Sequence, residues 1–183
     1  KFEILRRKLD EGQKSLEEIS DLVNLRFFRL QKVYEEVLSG DIQTAQALWA
    51  EYMKVVERWN VKLIINQNKL ERLVNKDVAR QFNNYETDNP QLKEPASLHG
   101  HFYLAHKRVK RLLDCAMQVS CEEAQEVKNE ATEKLRSLDY FSDAFVDGVS
   151  ALFLEQTFAL EEFNTLGPKE RTDALGAKTR SVD

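Results

Sequence analysis

The chain has 183 residues, enough for one ordinary domain or one elongated bundle whose core needs no disulfides. Six Gly and three Pro, beside 32% charged and 42% hydrophobic residues, favour long helices over many-turned sheets and argue against wholesale disorder. A formal net charge of −4 gives no field for nonspecific nucleic-acid binding, and no apolar run approaches the ~18 residues of a membrane span.

The pattern opens at Lys1 inside a helical repeat and without an initial Met. A processed product is therefore expected, or a chain lacking a leading segment such as a signal peptide or membrane anchor. Leu9, Leu16, Val23, Leu30 and Val37 recur every seven residues, and Leu5, Gly12, Ile19, Arg26 and Val33 form a second row. Such rows predict a coiled-coil-like helix over 1–38. Ser39-Gly40-Asp41 then offers a glycine to end that helix and an Asp to cap the next. In a second helix over 41–82, Ile42, Trp49, Val56, Leu63 and Leu70 make one row, and Ala45, Tyr52, Trp59, Asn66 and Leu73 the other. So short a connection predicts an antiparallel hairpin with arms of roughly 57 Å.

From Asn83 to Pro95 the chain is polar, holds two prolines and has no periodicity, which predicts its longest connection. Ser97 suits the cap of a third helix over 97–136, with Leu98, Phe102, Ala105, Val109, Leu112, Ala116 and Val119 on one face. Ser120 to Glu123 has the spacing of a capping box and marks 119–123 as the place for a kink. The stripe resumes at Ala124, Val127, Ala131 and Leu135, so continuity to about Arg136 is the expectation. A turn is expected at Ser137-Leu-Asp139, followed by a helix over 139–165 whose wide aromatic stripe calls for neighbours all round. Gly167-Pro168 stops it, and 167–183 reads as a tail. The sum is a single domain over 1–166 and an all-α fold: an elongated antiparallel four-helix bundle in up-down-up-down order. Two hairpins associating between two chains would serve the same heptads.

Cys115 and Cys121 would lie roughly 9 Å apart along one helix, too far for a disulfide. Two free thiols are expected, and they fit a reducing compartment without excluding export. Localisation stays open: cytoplasmic for the soluble chain as it stands, or extracytoplasmic behind a missing leader or anchor. Membrane contact would come only through such an absent segment.

His99, His101 and His106 are the candidate metal ligands, since imidazole suits Zn, Cu or Ni. On one helix His101 points away from the other two, so convergence would need a carboxylate such as Glu94 to bend in, and a surface or boundary position is the plainer reading. Lys107, Arg108, Lys110 and Arg111 form the densest basic patch, behind Phe102 and Tyr103. Such a mixture can bind nucleic acid or anionic lipid. In a net acidic chain the expectation is instead a solvated face paired with Glu122, Glu123, Glu126 and Glu130. Arg26, Asn66 and Gln156 are polar residues on apolar seams, where they set helix register or cluster as a ligand site.

No phosphate loop, nucleophile elbow, His-Glu-x-x-His or Cys-x-x-Cys occurs. The expected role is therefore non-enzymatic and without cofactor: a helical protein acting by association with a protein partner or its own copies, as a scaffold or the helical domain of an anchored or exported protein. A ligand- or metal-binding sensor bundle is the alternative.

Overall fold

The computed structural model describes residues 2–84, 95–118 and 121–165. All five regular elements among them are helices: α1 (Phe2–Ser39), α2 (Ile42–Leu73), α3 (Lys76–Phe82), α4 (Leu98–Ala116) and α5 (Ala124–Thr165). The expected connection over 85–94, Glu94, Ser120 of the capping box, and the tail after Thr165 lie outside the described residues.

The heptad rows of the first two helices are their buried faces. Leu16, Val23, Leu30 and Val37 of one α1 row are buried, as are Gly12, Ile19, Arg26 and Val33 of the other. On α2 the buried set includes Ala45, Tyr52, Val56, Trp59, Leu63, Asn66 and Leu70. Gly40 ends α1 at φ 86°, a conformation that glycine adopts without a Cβ penalty. Asp41 caps α2, its carboxylate accepting from the Thr44 amide at 3.0 Å. Glu18 pairs with Lys69 and Gly12 meets Leu73, so the end of α2 lies beside the start of α1.

Three boundaries differ from those expected. The second helix stops at Leu73 instead of 82, because the Asn75 side chain accepts from the Val78 amide at 2.8 Å and caps a separate short helix, α3. The third helix does not continue to Arg136. It ends at Ala116, and the chain returns so that Cys115 and Cys121 form a disulfide with their Cα atoms 5.5 Å apart. The expectation of two free thiols fails with the helix on which it was based. Finally, no turn occurs at Ser137-Leu-Asp139. That segment lacks glycine and proline, Leu138 is fully buried in phase with Leu135 and Phe145, and α5 runs through it unbroken.

One apolar cluster draws on all five helices. α1 packs chiefly along α2, and α4 along α5; α1 also touches α4 and α5. At 42 residues, α5 outruns the 19-residue α4 and is flanked by it over at most half its length. The rest of its inner face meets α1, α3 and the end of α2 through Phe153 on Gly12, Phe145 on Phe82, and Gln156, which donates to the Val74 carbonyl at 2.9 Å. Among the described residues nothing covers its outer face: Tyr140 is 79% exposed and Phe158 62%, against the expectation of neighbours all round. Among the described residues no helix is long and apolar enough to cross a membrane.

Gly12 marks a close approach, since a Cβ there would stand 2.9 Å from Phe153 Cζ and 3.3 Å from Leu73 Cδ2. Gly12→Leu is expected to lower stability by about 1–3 kcal/mol through overpacking. Asp10→Leu, at an exposed position on the same helix, should change it by less than about 0.5 kcal/mol; urea unfolding measures both.

Candidate functional site

Heptad position 26 of α1 points into the core, and arginine there must place a permanent cation among apolar groups. Its guanidinium carbon lies 4.4 Å from the centre of the Phe102 ring and 4.7 Å from that of Trp59. Those two rings are themselves only 5.0 Å apart and tilted by 56°. The cation therefore fills the notch between them and gains cation–π stabilisation from both. Arg26 is 3% exposed, and among the described residues its Nε and Nη1 have no hydrogen-bond partner. Burial pulls its pKa down, partly opposed by the neighbouring Tyr52 phenol.

Tyr52 extends the cluster outward. Its hydroxyl lies 3.2 Å from Nδ1 of His106, whose ring packs on Trp49 with centres 4.9 Å apart. The phenol can donate to Nδ1 when the imidazole is neutral and carries its proton on Nε2. Desolvation, then the charges of Arg26 and Lys110, push the His106 pKa down to about 4. Burial likewise holds the Tyr52 phenol neutral by raising its pKa. The far side of His106 lines a cavity of about 660 Å³ whose wall includes Lys110, Arg111 and the Cys115–Cys121 link.

The three histidines meet different partners. His99 Nδ1 accepts from the Trp59 indole at 3.1 Å, His101 stacks on Phe141 at 4.4 Å, and His106 turns to Tyr52. Among the described residues no three His, Cys, Asp or Glu side chains are grouped to hold a metal. The basic patch is drawn into ion pairs and ring contacts. Arg108 and Arg111 reach Glu130 at 3.2 and 3.3 Å, Arg111 also reaches Glu123, Lys110 pairs with Asp114, and Lys107 lies over Tyr103.

No protein-family model matches the chain, and no curated protein or solved structure is similar to it. Its role must be read from its own geometry.

Arg26, Asn66 and Gln156 do not converge. Asn66 is buried seven residues, about 10.5 Å of rise, beyond Trp59 on α2. Gln156 ties α5 to the end of α2 by donating its amide N–H to the carbonyl of Val74, which lies just past the last turn of α2. What sequence reasoning missed is the Arg26–Tyr52–His106 chain: two members stand on predicted seams, but the α4 register that brings His106 to them has no local signal. Tyr52, Arg26 and a neutral His106 offer hydrogen-bond donors and acceptors, and the cavity beside His106 adds the carboxylates of Asp114, Glu122 and Glu123.

The lowered His106 pKa links stability to pH. An unfolded chain binds the proton near pH 6.5 and the folded one near pH 4, so His106 stabilisation is present above about pH 6.5 and lost as pH falls toward 4. After discounting for its partial exposure, the loss is expected to be about 2 kcal/mol. Urea unfolding at pH 7 and pH 4.5 should show that dependence reduced by this amount in His106→Gln; an unchanged slope would contradict the assignment.

Proposed function

We propose that this chain is a non-enzymatic helical protein that works by protein association, with the outer face of α5 as the contact. The observation that carries this is a second heptad row on α5. Tyr140, Ala144, Asp147, Ala151, Leu154 and Phe158 follow one another at spacings of four and three, and all six are exposed. Leu138, Ser142, Phe145 and Val149, buried, lie on the opposite side of the same helix. A helix with one buried seam and one exposed seam is built to meet a further helix.

A second copy of the chain is the occupant that the row itself favours. Antiparallel pairing about its midpoint sets Tyr140 against Phe158, Ala144 against Leu154 and Asp147 against Ala151, matching large to small in the centre and ring to ring at the ends. Parallel pairing would oppose the two Asp147 carboxylates and be disfavoured. Within each copy, the reading takes the helices as an antiparallel four-rod bundle with coiled-coil packing, α4 and α3 completing the ends of the two long pairs. The link to α4 and the contacts of α1 with α2 support that arrangement.

A reading as a bundle that holds a small ligand between its helices is favoured by Arg26, buried with two nitrogens unpartnered.

Sedimentation or light scattering tests the association. The 21.3 kDa chain is expected to run as a dimer at micromolar concentration, and Leu154→Glu with Phe158→Glu to return it to monomer with its helix content intact. A wild-type chain that stays monomeric at about 100 μM, a weak-interface concentration, sinks the self-association.

A further inference from the structure

A disulfide exchanges with outside thiols only where they can reach it. Cys115 and Cys121 both line the cavity of about 660 Å³ beside His106. Cys115 is buried in the last turn of α4, and Cys121, partly buried, stands just ahead of Ala124, where α5 begins. The fold makes little demand on the bond between them. The cysteines are six residues apart, and a cross-link that closes so short a loop restricts the unfolded chain least. Arg108 and Arg111 also tie α4 to Glu130 of α5, and Arg111 to Glu123 just ahead of it, across the same return of the chain.

We infer that Cys115–Cys121 is a redox-active disulfide, which a small dipolar thiol of about tripeptide size reduces from the cavity by way of a mixed disulfide on Cys121. The entering thiolate attacks Sγ of Cys121, the less buried cysteine; the S–S bond breaks and its electron pair leaves on Sγ of Cys115. Arg111, one turn before Cys115 on the same face of α4, favours the thiolate formed there. A second thiol then displaces Cys121 from the mixed disulfide. Two thiols have become one disulfide, and their two protons end on Cys115 and Cys121. The ion pairs keep α4 and α5 together while the bond is open. The class of thiol follows from the cavity wall. Lys110 and Arg111 are paired with Asp114 and Glu123, whereas Lys107 and Glu122 make no ion pair among the described residues. They offer a cation to a carboxylate and a carboxylate to an ammonium. From Lys107 to Cys115 is about 12 Å of rise, which the lysine side chain and one arm of a tripeptide-sized thiol span together.

Reduced glutathione, a dipolar tripeptide thiol, tests this on the whole chain. Near neutral pH it is expected to open the bond with helix content unchanged in circular dichroism, and acid quenching followed by peptide mapping to find glutathione on Cys121. Lys107→Glu, at an exposed position, should slow the reaction with glutathione by about fivefold, the scale of one exposed ion pair, and leave the rate with uncharged mercaptoethanol unchanged. A bond that glutathione opens only after urea unfolds the chain overturns the inference. So does glutathione found on Cys115 first, or a Lys107→Glu variant that does not distinguish the two thiols.

Discussion

Three helices meet where the Arg26 guanidinium fills the notch between Trp59 and Phe102, and much of the surrounding arrangement follows from keeping that cation in place. Both rings must hold their tilt to face it, which fixes the rotation of α2 and α4 about their axes. Tyr52 presents its hydroxyl to Nδ1 of His106, whose ring packs on Trp49. An aliphatic residue of similar volume at position 26 would satisfy the core more cheaply. Arginine there imposes directions as well as volume: a misregistered α4 would leave the charge without its rings.

Much of the helical framework was legible in the sequence because the rows of α1 and α2 carry their own period, and because Gly40, Asp41 and Ser97 announce helix ends through local chemistry alone. The breaks that depart from the heptad pattern have no such local signature. Asn75 is a mediocre helix residue that becomes a cap only because α3 has core positions to bury, Val78, Ala79 and Phe82. Ser137 and Asp139 looked like turn residues, yet Leu138 between them has a place in the core, and burial outweighs weak propensity. The cysteines were measured against an ideal helix that ends at Ala116. At the candidate site, position 26 was recognised as a polar residue on an apolar seam. Its neighbours depend on which levels of α2 and α4 lie side by side, a property of the assembled helices that no single segment encodes.

Charge is handled differently on the outside. Arg108 and Arg111 converge on Glu130, and Arg111 also spans to Glu123, so the most basic stretch of α4 is spent on holding the first turns of α5. Exposed pairs of this kind contribute little each. Collectively they steer α5 to one side of α4 just beyond the disulfide, where the tether has already limited the choices.

The unequal lengths of α4 and α5 leave the molecule graded along its axis. Where α4 runs beside α5, the two helices screen each other; past about Phe145, among the described residues, α5 rests on α1, α3 and the end of α2 along one side. Local opening free energies fall where buried contacts thin out, so opening of the far half of α5 costs less than opening of the half beside α4. Its outer row is thus carried on a stretch of helix that can bend to fit what it meets, while the end that holds the buried cation stays rigid.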